Sequence, residues 1–81
     1  MRVIGIDPGT RVVGWAVVDD IRGSLKLAAM GAIKPRAKDY ARRLAEIHAA
    51  LMAVIAQHQP AEAAVEEAFS GKNPRTALVI G

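Results

Sequence analysis

Two acidic residues, Asp7 and Glu66, each close a short apolar run in this chain. Val3-Ile4-Gly5-Ile6 is rich in β-branched residues and suits a strand buried on both faces. It delivers Asp7 to the strand end, immediately before a Pro8-Gly9 turn. Some sixty residues later, Ala63-Ala64-Val65 leads in the same way into Glu66 and Glu67. A carboxylate at the margin of a core is costly unless a cation or hydrogen bonds offset its desolvation. Two apolar strands that each end in an acid therefore point to a cation held at one edge of a sheet. Side chains alternate along a strand, so only one of Glu66 and Glu67 can face that edge. The plainer reading of Asp7 is that it opens the Asp-Pro-Gly turn, where aspartate is common.

Basic residues surround these acids in the sequence. Lys34, Arg36, Lys38, Arg42 and Arg43 fall within ten residues, and Lys72 and Arg75 follow the second acid closely. The net charge of +3 and the pI near 9.8 are compatible with a nucleic-acid partner without establishing one. A solvated linker and helix face would read the same way. His48 and His58 lie ten residues apart on one helical segment and cannot form a paired metal site, so both read as structural. His58, near the helix C-terminus, can meet the helix dipole favourably.

The elements that must position the acids follow from periodicity. Val12 to Val18 reads as a second strand, and Asp19 to Ser24 has the chemistry of a hairpin loop. Leu25 to Ile33 reads as a third strand, ended at Pro35. Short connections make these three an antiparallel meander. From Tyr40 the period changes: Tyr40, Leu44, Ile47, Leu51, Val54 and Ile55 form the core stripe of an amphipathic helix, with Asp39 as N-cap and Pro60 as stop. The helix returns the chain across the sheet, so Ala63 to Val65 runs parallel to an earlier strand. Glu62 should precede that strand and face water. Asn73-Pro74 predicts a second helix, with Asn73 as its cap, cut short at Gly81.

Composition sets the outer bounds. Eighty-one residues make one small domain, and 52% hydrophobic residues exclude a disordered composition. Trp15, Tyr40 and Phe69 are the only aromatics, so the core is built from aliphatic residues and alanines, with Trp15 packed among them. The absence of cysteine removes disulfides and thiolate metal sites and suits a reducing cytoplasm. The N-terminus is too short and broken for a signal peptide, and no apolar run reaches membrane-span length.

A three-strand antiparallel meander, a crossover helix and a parallel fourth strand form the opening of an α/β ribonuclease H-like mixed sheet, which this chain should leave within its following helix. Residues 1–81 then read as the N-terminal part of a single ribonuclease H-like domain. In that arrangement Asp7 and Glu66 end neighbouring parallel strands and can share metal ions.

The residues Ile4-Gly5-Ile6-Asp7-Pro8-Gly9-Thr10-Arg11, Val65-Glu66-Glu67-Ala68-Phe69 and Lys72-Asn73 resemble the RuvC family of Holliday-junction resolvases, in order and with family-like spacing. The resemblance implies Mg²⁺-dependent phosphodiester hydrolysis in four-way DNA junctions, with Mn²⁺ as an alternative ion. It also implies a homodimer, partnership with the branch-migration motor proteins of the same pathway, and a cytoplasmic location without membrane contact. It selects Glu66 over Glu67 as the second metal-binding acid beside Asp7, and it places the remaining two acids beyond Gly81. The 81-residue piece alone should therefore be inactive. By the same resemblance Phe69 stacks on unpaired bases near the junction centre, although a core aromatic would look the same. Lys72, Arg75 and Arg11 would contact phosphates.

Other classes share parts of this pattern. Gly14-Trp15-Ala16-Val17 is similar to the first nuclease segment of CRISPR effectors, but there the second acid follows a very long insertion. Actin-like ATPases and sugar kinases also open with strand, aspartate, glycine and threonine, and would use Asp7 and backbone N–H groups for nucleotide phosphates. A non-catalytic junction-binding or dimerisation module is the third class.

Overall fold

A computed structural model of the chain describes residues 1–9, 11–66 and 75–79, and for Glu66 and residues 75–79 the description is of the backbone. Six elements follow one another: β1 (Arg2–Asp7), β2 (Val13–Ile21), β3 (Ser24–Ile33), α1 (Tyr40–His58), β4 (Glu62–Glu66) and β5 (Arg75–Val79). They build one mixed sheet in the order β3-β2-β1-β4-β5. β1 is antiparallel to β2 and parallel to β4, so the crossover through α1 is the step that brings the two ends of the sequence together.

The β2–β3 hairpin is longer than the sequence suggests. Its turn needs only Arg22 (φ 55°) and Gly23 (φ 83°), and two successive positive φ values are the signature of the tight turn whose twist matches that of the strands. The Gly23 N–H donates to Asp20 Oδ1 at 3.0 Å, so Asp19 and Asp20 join the strand rather than the loop. Between Val17 and Val18 the register shifts, from Val17 opposite Ala29 to Val18 opposite Leu27. Ala28 is the extra residue of a β-bulge.

One row of residues crosses four strands in register: Ala29, Val17, Ile4 and Ala63. Ile4, Val17 and Ala63 are buried, and Ile6, Trp15, Val54 and Ile55 pack around them. Fully burying a side chain such as Ile4 or Val17 stabilises by roughly 1.5–3 kcal/mol, so this row is the main adhesive between sheet and helix. Asp39 caps α1 through its Oδ2, which accepts from the Arg42 N–H at 3.1 Å, and Gln59 ends it in the left-handed conformation (φ 50°). His58 at that end lies with its ring 5.8 Å from the Trp15 indole, tilted by 43°.

Three expectations are corrected. Tyr40 and Leu44 are 68% and 49% exposed, so the first turns of α1 extend past the sheet and the apolar stripe begins at Ile47. Glu62 is the first residue of β4 and is half-buried. Where a helix is expected from Pro74, the described residues Arg75–Val79 form β5, antiparallel to β4. A helix there would fix three residues before its first hydrogen bond, whereas a strand pairs at once with the edge of β4. Thr76 and Val79 are β-branched and favour the strand as well.

Candidate metal and nucleic-acid site

Asp7 is the last residue of β1 and Glu66 the last of β4. The parallel register runs from Val3 opposite Glu62 to Ile6 opposite Val65, and its next step is Asp7 and Glu66. Neighbouring strands lie about 4.8 Å apart, so the two residues leave the sheet side by side at its carboxyl edge. Asp7 is exposed. Across β2 it faces Gly14, where even an added methyl group would sit 3.8 Å from the Asp7 Cβ, so the flank of the carboxylate is open. The turn that follows is tight: a Cβ on Gly9 would run into the carbonyl oxygen of Val12, and no other residue type fits there.

Beside Asp7 the face of the sheet opposite α1 is hollowed by a cavity of about 320 Å³, lined among others by Gly5, Gly14, Ala16, Met30 and Ala64. Small residues on three adjacent strands leave this space. Met30 on its rim is 69% exposed. No group of three or more His, Cys, Asp or Glu side chains suited to hold a metal occurs among the described residues. Asp7 and Glu66 bring two acidic residues to one edge. Carboxylates are hard oxygen donors, a chemistry that suits a hard divalent cation better than a soft one.

Arg11, the only described residue of the proposed phosphate contacts with a defined side-chain environment, is exposed in the β1–β2 connection next to the same edge. Arg75 opens β5 and pairs in register with Glu66, which keeps a basic residue at the carboxyl edge. Phe69, Lys72, Asn73 and Glu67 lie outside the described residues.

Two organising residues escaped the sequence reading. Arg2 donates to both carboxylate oxygens of Asp19, at 2.8 and 2.9 Å, and to the His58 carbonyl at 3.1 Å. It thereby ties β1, β2 and the end of α1 together. The Arg2 guanidinium holds the Asp19 carboxyl below its ordinary range, chiefly through these hydrogen bonds. Glu46 of α1 accepts from the backbone N–H groups of Arg36 and Ala37, at 2.8 and 3.2 Å. Neither contact has a local sequence signal, because each depends on strand register or on how the helix is docked.

The order β3-β2-β1-β4 with its crossover helix defines a ribonuclease H-like domain with an acidic carboxyl edge. Comparison with known proteins is more specific. The model of the family described as crossover junction endodeoxyribonuclease RuvC matches residues 3–81, and the chain belongs to that family. A RuvC from Oleidesulfovibrio alaskensis is 46% identical over 81 residues, covering 100% of this chain and 49% of the relative. One from Paramagnetospirillum magneticum is 45% identical over 82 residues, again covering 100% and 49%. Among solved structures, T. thermophilus RuvC in complex with a Holliday junction substrate is similar with a TM-score of 0.74 and 31% identity, over 90% of this chain and 48% of that one. A further Thermus thermophilus RuvC structure gives 0.70 and 37%, over 85% and 46%. The chain thus spans about half the length of the relatives it matches. The family match displaces the actin-like ATPase alternative.

Proposed function

We propose that the full-length protein carrying this sequence is a crossover junction endodeoxyribonuclease that resolves Holliday junctions by divalent-metal-dependent hydrolysis of phosphodiesters. The observation that supports this reading most directly is the in-register parallel pairing of β1 with β4, which ends in Asp7 and Glu66. These two would hold Mg²⁺, or Mn²⁺ in its place, with two more acids from the half of the family's length not covered here. A divalent metal held there would supply activation of a water and stabilisation of charge on the leaving oxygen.

The chain's own residues then have separate tasks. Arg11, Lys72 and Arg75 would hold backbone phosphates against the carboxyl edge, as point charges whose contribution falls with salt. Phe69 would stack on a base already out of its helix at the branch point. A homodimer with two such edges would nick two strands of the junction, working with the pathway's branch-migration motors in the cytoplasm.

The test is Asp7→Asn in the full-length protein. It removes a ligand oxygen's charge without removing any positive charge, so nicking of a four-way junction should be abolished while junction binding persists or tightens. Nicking at a rate close to wild type would mean that Asp7 is not a ligand.

A further inference from the structure

The connection between β3 and α1 carries cations that the edge at Asp7 and Glu66 does not use. Lys34, Arg36 and Lys38 are exposed, while Ile33, Pro35 and Ala37 between them are half-buried. The alternation turns all three cations to solvent within five residues, a dense cluster of positive charge that a phosphate backbone can match.

Topology sets this segment beside the acidic edge. Gly14 pairs with Asp7 on one side and with Ala32 on the other, so Asp7 and Ala32 lie in one row, two strands or about 10 Å apart. Lys34 follows two residues after Ala32, just beyond the carboxyl edge.

The segment is also held in place. Glu46 Oε2 accepts from the Arg36 and Ala37 N–H groups, which fastens the connection to the second turn of α1 through its backbone. Glu46 therefore spends its hydrogen bonds on amides and leaves the side chains turned outward. Among the described residues the only ion pair is Arg2 with Asp19, so Lys34, Arg36 and Lys38 have no carboxylate partner there. Arg42, in the first turn of α1, is exposed as well. A protein partner would want an apolar centre to bind against, but the residues between the cations face inward and offer none. A line of negative charge suits the cluster better.

We infer that Lys34, Arg36 and Lys38 form a rail for the phosphate backbone of one duplex arm entering the Asp7 edge, and that Glu46 is the positioning residue that fixes the rail. This rests on the junction-nuclease reading above. The experiment measures affinity of the full-length protein for a labelled four-way junction and a linear duplex across a range of salt concentrations. Each lost phosphate contact lowers the slope of log K against log salt by about 0.9. The triple variant Lys34→Ala, Arg36→Ala, Lys38→Ala should lower it by about two to three units, for junction and duplex alike. Glu46→Ala should lower it by at least about one unit, because the rail loses its anchor. Glu46→Gln should restore the wild-type slope, since the amide oxygen still accepts from both N–H groups. An unchanged slope in the triple variant, in a protein whose wild type binds and nicks junctions, overturns the rail and leaves the nuclease reading standing. An unchanged slope in Glu46→Ala overturns the role of Glu46. Failure of the wild type to bind junctions would instead sink the nuclease reading itself.

Discussion

The indole of Trp15 lies so close over Gly31, its partner across β2 and β3, that a methyl group at residue 31 would come within 2.7 Å of the ring atom Cζ2. The ring cannot simply swing aside, because it packs against the Ile4–Val17 core and the His58 ring. Gly31→Ala should therefore act as an overpacking substitution and cost about 1–3 kcal/mol. In a protein of the relatives' full length each kcal/mol lowers Tm by roughly 2–4 °C. Thermal unfolding of the variant checks this, and an unaltered Tm would show that the indole has room to move.

A second prediction concerns acid. Asp19 is bound by Arg2 in the folded state, and its pKa is depressed there relative to the unfolded chain. The folded state then holds its carboxylate more readily than the unfolded state does. Its contribution is present above the ordinary carboxylate range and is lost as the pH falls through the depressed pKa. Asp19→Asn and Arg2→Met should each be less stable than wild type near neutral pH, with the gap closing on acidification. Urea melts at a series of pH values will read it. A gap that stays constant down to strongly acidic pH would mean that the pair contributes only through packing.

The third prediction separates Lys72 from Phe69. Lys72→Ala should weaken binding of junction and duplex equally and reduce the salt slope by about one unit. Phe69→Ala should cost junction affinity or cleavage while leaving duplex binding and the salt slope nearly unchanged, since stacking on a base contributes about 1–3 kcal/mol. If Phe69 is instead a core residue, its truncation would cost roughly 3–5 kcal/mol of stability with no preference for the branched substrate. Melting curves run beside the two binding curves distinguish these outcomes.

The elements legible in the sequence are those whose signals are local. The run from Val3 to Ile6, the Asp39 cap and the stripe from Ile47 to Ile55 each carry their own periodicity or capping chemistry, and each appears at its expected place. The strand-end placement of Asp7 and Glu66 was legible for the same reason: an acid ending an apolar run is a local pattern, the crossover rule makes the second run parallel to an earlier strand, and the ribonuclease H-like pattern makes β1 that neighbour. The hairpin length was not legible, because Arg22 gave no sign that it would accept a positive φ. Tyr40 and Leu44 fit the helical period but outrun the sheet, and only the docked position of α1 shows where cover ends. The segment after Pro74 reads as a helix start by its first two residues. The strand it forms is decided by β4, a neighbour about ten residues earlier whose open edge no local window reports.

The pairing of β1 with β4 also fixes when the acidic edge can exist. Asp7 and Glu66 are some sixty residues apart, and no contact between β1 and β4 can form until α1 has been made and has folded back. At about 5–20 residues per second, the ribosome leaves a gap of roughly 3–12 s between the two acids. During that time the β1–β2–β3 meander can assemble from its hairpins, but it carries a solitary aspartate and an unpaired β1 edge. The nascent chain therefore passes through a period in which it has a sheet and a cationic face but no paired acids, and the acidic edge is assembled only when β4 pairs with β1.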